Sequence, residues 1–117
     1  MNTELQHRLR KEVETERETM LAELEQHGAD PYSEKVDRIA GIDDNFADSA
    51  AATAERGEAL ALIDSARERL AEADAAIAQM EAGTYGTCID CGKDIPEARL
   101  EARPMSITCV DCAAARQ

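Results

Sequence analysis

Apolar residues recur at helical spacing over residues 2–27, with charged residues between them, and this pattern predicts an amphipathic helix. The apolar positions are Leu5, Leu9, Val13, Met20 and Leu24. His27 and Gly28 form a typical C-terminal stop, and Asp30 followed by Pro31 is typical of a new helix start. We therefore expect helix to resume over residues 31–42, after either a kink or a loop at residues 28–31.

A second helix is predicted from about residue 48 to residue 82, with Gly83 ending it. Its apolar residues alternate at spacings of three and four, which is a heptad seam. The seam consists of Ile63, Ala66, Leu70, Ala73, Ile77 and Met80. Residues 43–49 between the two helical regions are polar and predict a turn.

The two apolar stripes predict their own pairing. In an antiparallel hairpin, residues that face each other have numbers with a constant total. Three apolar pairs share the total of 90: Val13 with Ile77, Met20 with Leu70, and Leu24 with Ala66. Half of that total places the turn near residue 45, inside the polar segment. The fold class predicted is mainly α, a long antiparallel coiled-coil helical hairpin that occupies residues 1–82.

Composition changes this picture in two ways. Much of the 44% hydrophobic content is alanine and aromatic residues make up only 3%, so a thin core along a helical seam is expected. The formal charge of −12 disfavours direct DNA binding and favours a basic protein surface as partner.

The sequence has no apolar run of membrane-spanning length and no signal segment, which predicts a cytoplasmic protein with no membrane association.

All four cysteines fall in the last third of the chain, as two Cys-x-x-Cys pairs separated by 17 residues. They are Cys88, Cys91, Cys109 and Cys112. Four thiolates at this spacing match one structural Zn²⁺ ion, and a closed four-sulfur site leaves no position for substrate water. We therefore expect no enzymatic activity. Paired disulfides would require export, and a thioredoxin-like redox pair would require a βαβ context; the sequence indicates neither.

Two charged groups are further candidates. The acidic residues Asp43, Asp44 and Asp48 lie in the predicted turn, either as a functional tip or as a solvated turn that caps the second helix. Arg99 and Arg103 lie between the cysteine pairs and form a local cationic spot, which is either structural or a contact for a partner or an anion.

The last third of the chain also resembles a known family. The residues that carry the resemblance are Gly83-Thr84-Tyr85-Gly86-Thr87-Cys88, Cys91-Gly92, Ile95-Pro96, Arg99-Leu100-Glu101-Ala102-Arg103-Pro104 and Cys109-Val110-Asp111-Cys112. Over residues 83–112 they are similar to the TraR/DksA family of zinc-finger transcription regulators. This resemblance implies a C4 zinc-finger domain at residues 83–117, after the hairpin.

The resemblance also implies a function. Members of the family bind RNA polymerase rather than DNA, and their coiled coil enters the secondary channel to alter open-complex stability at promoters. Their tip motif, Asp-x-x-Asp-x-Ala, falls on residues 45–50, where Asp48 and Ala50 match and Asn45 replaces the first acid beside Asp44.

The resemblance bears on the nucleotide guanosine tetraphosphate as well. Arg103 is retained among the basic positions that the family uses for it, whereas Glu72 and Ala113 stand where lysines are expected. Since a polyanion site depends on its cations, we expect weak or absent nucleotide dependence. A monomer is expected.

Two other classes of function stay open at this point. One is a zinc-ribbon interaction module with a structural coiled-coil stalk and a different partner. The other is a thiol redox sensor, which would release zinc on mild oxidation.

Overall fold

The computed structural model describes residues 3–32 and 50–116, with the backbone but not the side chains of residues 50–53. Helix α1 spans Thr3–Gln26 and helix α2 spans Ala50–Ala82. Two shorter helices follow, α3 at Glu97–Ala102 and α4 at Val110–Ala115. Within the described ranges there is no β-strand, only an isolated antiparallel bridge between Thr87 and Asp94. The mainly α fold class is confirmed.

The chain divides into two compact units. The first contains Met1–Arg17 and Ala71–Gln117, so it joins the first part of α1 and the last part of α2 to the cysteine-containing segment. The second contains Glu18–Leu70. The division into a hairpin at residues 1–82 and a zinc-finger domain at residues 83–117 stays a prediction.

One hydrophobic cluster organises the first unit, and we call it the finger cluster. Its buried members are Leu5, Leu9, Val13, Ala73, Ala76, Met80, Tyr85, Cys88, Ile95 and Leu100. Three of them come from α1, three from α2 and four from the segment that follows α2. Ile77, Met105 and Ile107 pack against the cluster from its edge. The apolar stripes of both helices therefore bury against the cysteine-containing segment as well as against each other.

A second hydrophobic cluster organises the second unit, and we call it the helix cluster. It consists of Met20, Leu24, Ala29, Ile63, Ala66 and Leu70, with Leu21 packed against it. Leu24 and Ile63 are fully buried. Arg67 Nε also donates to Asp30 O at 2.9 Å, which joins α2 to the segment after α1 in this unit.

Ion pairs in the first unit follow the predicted register. Arg17 Nε lies 2.6 Å from Asp74 Oδ1, and Arg10 Nη2 lies 3.3 Å from Glu81 Oε1. Both pairs join α1 to α2, and the residue numbers of each pair total 91, one more than the total that the apolar pairs predict. The pairing of these parts of the two helices therefore follows the sequence pattern.

Both long helices end in the same way. Gly28 and Gly83 have φ values of 67° and 77°, the left-handed conformation that glycine adopts most readily. After α1, Gly28 N donates to Glu25 O at 3.0 Å and Ala29 N donates to Leu24 O at 2.9 Å. These two bonds form a Schellman motif, which satisfies the last carbonyl groups of the helix. The segment after Gln26 is therefore a helix stop with a turn, rather than a kink within a continuing helix.

Several predictions fall outside the described residues. They are the polar turn at 43–49 and the tip residues Asp44, Asn45 and Asp48. Of the helix expected to resume over residues 31–42, only Pro31 and Tyr32 are described, and they lie in a turn. Ala50 is described only as the first residue of α2. In the part of the chain that the structure describes, none of the helices combines the length and the apolar character that crossing a membrane requires.

Candidate metal centre

The first cysteine pair lies in a tight turn after α2. Cys88 N donates to Lys93 O at 2.8 Å, and Gly92 N donates to Cys88 O at 3.0 Å. Gly92 has a φ of 77°, so the chain reverses immediately after Cys91 at a residue that tolerates this conformation. The turn brings the sulfur atoms of Cys88 and Cys91 to the same side of the backbone. We call residues 88–92 the first knuckle.

The second cysteine pair lies at the start of α4. Cys109 is the residue before the helix, and its carbonyl oxygen accepts the Ala113 N–H at 2.9 Å. Cys112 lies in the first turn of α4, three residues after Cys109, so the two side chains share a helix face. Ile89 N donates to Ile107 O at 3.0 Å, which joins the first knuckle to the segment that leads into α4.

The structure brings all four predicted ligands together. Their sulfur atoms all lie within 4.8 Å of one another, and Cys91 Sγ lies 3.8 Å from Cys109 Sγ. Tetrahedral zinc with bonds of about 2.3 Å to sulfur requires sulfur–sulfur distances of about 3.8 Å. The donor set and its spacing therefore fit one Zn²⁺ ion. Cys88 is buried, Cys91 is exposed, and the other two are intermediate.

The electrostatics of the cluster explain why it requires a cation. Burial raises the pKa of the Cys88 thiol, but backbone hydrogen bonds from Cys109, Cys91 and Asp90 outweigh burial and lower the pKa to about 6. The neighbouring sulfur atoms of Cys109 and Cys88 raise the pKa of Cys112. Four thiolates at these distances repel one another, and a divalent cation removes this repulsion. Because all four zinc positions would be sulfur, the site is suited to a structural role and not to activating water.

Tyr85 supports the centre from inside the finger cluster. Its hydroxyl group donates to Pro104 O at 2.6 Å, which ties the end of α2 to the loop before the second cysteine pair. Burial and then the negative charge of Glu12 raise the pKa of Tyr85 to about 12. The phenol therefore stays protonated and able to donate throughout the physiological pH range.

The two predicted cationic residues have different surroundings. Arg99 lies in α3, and its Nε donates to Thr108 O at 3.1 Å, one residue before Cys109. Its guanidinium therefore already has a role within the finger. Arg103 is exposed, directly after α3, and is available for an external contact. A contact of either residue with a partner or an anion stays a prediction.

An ion pair beside the metal centre was not predicted from the sequence. Arg116 Nε donates to Asp90 Oδ2 at 2.8 Å, and Arg116 Nη2 donates to Asp90 Oδ1 at 2.7 Å. The hydrogen bonds from Arg116 lower the pKa of Asp90, and Asp90 in turn raises the pKa of Arg116. The only signals in the sequence are an aspartate between two cysteines and an arginine four residues after the last cysteine.

Comparison with known proteins agrees with this geometry. Residues 83–117 match the family described as prokaryotic dksA/traR C4-type zinc finger, and this range contains all four clustered cysteines. Residues 83–117 are thus a zinc finger of the dksA/traR type. The family match and the cysteine cluster together identify a site for one structural zinc ion.

Named relatives of the chain come from several bacteria. General stress protein 16O of Bacillus subtilis is 32% identical over 91 residues, which are 77% of this chain and 56% of the relative. RNA polymerase-binding transcription factor DksA of Haemophilus influenzae is 38% identical over 71 residues, which are 58% of this chain and 49% of the relative. The protein of the same name from Caulobacter vibrioides is 36% identical over 67 residues, which are 57% of this chain and 47% of the relative. The chain thus spans about half the length of these relatives.

Proposed function

We propose that the protein is a non-enzymatic regulator of transcription that binds RNA polymerase. The observation that carries the proposal is the match of residues 83–117 to the dksA/traR zinc finger, which includes every cysteine of the clustered site. Two of the relatives named above are RNA polymerase-binding transcription factors, with 36% and 38% identity to the aligned part of this chain.

The packing of the first unit supports the proposal. The finger cluster contains side chains of α1, α2 and the zinc-finger segment, and Leu9, Val13 and Leu100 in it are at most 1% exposed. Such packing fixes the finger to the ends of both long helices. A regulator that presents a coiled coil to its partner needs this attachment. If the helix pair were loosely joined, each binding event would have to order it, and the lost entropy would weaken binding.

The charge distribution supports a protein partner over DNA. Residues 1–82 contain 20 acidic and 9 basic residues, a net charge of −11, whereas residues 83–117 carry only −1. An acidic helical region attracts a basic protein surface and repels the phosphates of a nucleic acid. The binding should therefore weaken as ionic strength rises.

The finer features of the proposal come from the family. The coiled coil enters the secondary channel of the polymerase, Asp48 and Ala50 with the neighbouring Asp44 and Asn45 form the working tip, and open-complex stability changes as a result. The protein acts as a cytoplasmic monomer. Guanosine tetraphosphate has little influence, since Glu72 and Ala113 replace two expected lysines.

Affinity capture with the cognate RNA polymerase tests the proposal. The zinc-loaded protein should retain the polymerase, and the Asp48→Asn variant should bind but lose its effect on open-complex lifetime. Asp64→Asn is the matched control, because it removes the same charge from an exposed position of α2 away from the tip. Absence of a complex, or equal activity of Asp48→Asn and the unmodified protein, would show that the proposed function is wrong.

The alternative is a zinc-finger interaction module with a different partner. One observation favours it: Ile89 and Val110 occupy equivalent positions in the two cysteine pairs and are 45% and 58% exposed. If this alternative holds, Ile89→Ser or Val110→Ser abolishes partner binding and Asp48→Asn has no effect. If the polymerase proposal holds, Asp48→Asn changes the promoter effect.

A further inference from the structure

The Asp90–Arg116 ion pair bridges the two halves of the metal centre. Asp90 lies in the first knuckle, between Cys88 and Cys91, and Arg116 directly follows the helix that carries Cys112. The guanidinium and the carboxylate make two hydrogen bonds of 2.7 and 2.8 Å in a fork arrangement. Paired bonds of this kind constrain orientation as well as distance. The pair is therefore a link across the site that does not pass through the metal.

The ion pair lies at the place where the finger has to open before zinc is released. A chelator removes zinc from four sulfurs only after one sulfur leaves the ion, and the exposed ligand Cys91 is the one that solvent reaches most easily. For Cys91 to move away, the first knuckle has to separate from the segment that carries the second pair. Asp90 is the neighbour of Cys91, so its bond to Arg116 opposes this separation.

Besides the ion pair, a backbone hydrogen bond joins the first knuckle to the segment before the second cysteine pair. Ile89 N donates to Ile107 O at 3.0 Å, on the side of the buried Cys88. Asp90 and Arg116 have side-chain exposures of 34% and 56%, so water reaches the pair, but its forked geometry is the arrangement in which exposed pairs contribute most. The charge of a zinc ion with four thiolates, −2, adds an attraction for the guanidinium.

We propose that the Asp90–Arg116 pair is a latch that slows the loss of zinc from the finger, with Arg116 as a positioning residue that acts through the first knuckle. The latch rests on the zinc site and not on polymerase binding, so its test is independent of the proposed function. Outer contacts that hold metal ligands in place typically change metal affinity by 10- to 100-fold. Because this pair is partly exposed, we expect an effect on the order of 10-fold.

The test is the rate of zinc release from the full chain into excess chromogenic zinc chelator. Each variant is first shown to carry one zinc per chain and the helical content of the unmodified protein. Arg116→Gln should release zinc on the order of 10-fold faster. Arg116→Lys keeps the charge but loses the forked pair of hydrogen bonds, so its rate of zinc release should lie between those of Arg116→Gln and the unmodified protein. Arg103→Gln is the matched control, since it removes an exposed arginine of the same finger and should leave the rate unchanged.

Asp90→Asn separates the latch from simple charge neutralisation. If Arg116 acted only by offsetting the negative charge of the sulfurs, Asp90→Asn would free the guanidinium for that role and release would be unchanged or slower. The latch predicts the opposite, faster release, with the double variant Asp90→Asn/Arg116→Gln no faster than either single variant. Unchanged or slower release from Asp90→Asn, additive effects in the double variant, or equal acceleration by Arg103→Gln would each overturn the proposal.

Discussion

Leu100 gives the sharpest test of how the zinc finger is attached to the helices. It lies in α3, is 0% exposed, and belongs to the finger cluster with residues of α1 and α2. Leu100→Ala deletes three buried carbons, which at about 0.8 kcal/mol for each removes about 2.4 kcal/mol of transfer free energy. The cavity adds to this loss, so the free energy of unfolding should fall by about 3–4 kcal/mol. Alanine is a good helix former, so the loss reports packing and not helix propensity.

The assay is urea unfolding of the zinc-loaded variant, followed by the helical circular dichroism signal. Leu62→Ala is the matched control, because it makes the same chemical change at a helical position that is 58% exposed. Its free energy of unfolding should change by no more than about 0.5 kcal/mol. If Leu100→Ala also cost less than about 1 kcal/mol, the finger cluster would not be the core that joins the finger to the helices.

Three further predictions follow from the described contacts. A Cβ added at Gly57, inside α2, or at Gly83 meets no heavy atom within 4 Å, but only Gly83 has a positive φ, of 77°. Gly57→Ala should therefore stabilise the fold by about 0.5–1 kcal/mol and Gly83→Ala should destabilise it by about 1 kcal/mol in thermal unfolding; equal signs would contradict this reasoning. The phenol of Tyr85, observed by its ultraviolet absorbance in a Tyr32→Phe background, should titrate near pH 12, and a midpoint near the ordinary value of about 10 would contradict the burial argument. Because its pKa is raised on folding, the stability that this phenol contributes is complete below about pH 10 and is lost as the pH rises toward 12. Removal of zinc with a chelator should lower the thermal midpoint of the helical signal, since Cys88 lies in the finger cluster, and one equivalent of zinc should restore it; an unchanged midpoint would show that the metal site is not coupled to the helices.

The packing of the two long helices could be predicted from the sequence because it depends on periodicity. The five apolar residues predicted for α1 are all buried, and five of the six seam residues of α2 are buried, with Ile77 partly buried at the edge of the cluster. A repeat of about 3.5 residues over several turns specifies which faces meet, and a constant total of residue numbers then specifies the register. The pairing of Arg17 with Asp74 is a consequence of the same register.

The metal centre could be predicted because zinc imposes its own geometry. Four cysteines in two Cys-x-x-Cys pairs supply the complete tetrahedral donor set of one ion, and the structure places all four sulfurs within 4.8 Å of one another. The contacts around them could not be predicted. Helices α3 and α4 have six residues each, too short for a periodic signal. The Asp90–Arg116 pair joins residues 26 positions apart, and only the closed finger brings them together.

Arg99 shows the limit of inferring a role from charge alone. As part of a cationic spot in the sequence, it is equally suited to a structural role and to binding a partner. The structure gives its Nε a backbone acceptor, Thr108 O, next to a metal ligand. Which of the two arginines makes a contact within the finger depends on how α3 packs there, and the local sequence does not specify that packing. Arg103 is exposed and is the better candidate for an external contact.

The most direct test of the central claim is a competition experiment on RNA polymerase. The zinc-loaded protein is titrated into a complex between the cognate polymerase and a labelled factor known to occupy the secondary channel, and bound label is measured. Binding in the secondary channel predicts progressive displacement of the labelled factor, weaker at higher ionic strength because residues 1–82 carry a net charge of −11. Full retention of the labelled factor, at concentrations where this protein is itself bound to the polymerase, would contradict entry into the secondary channel.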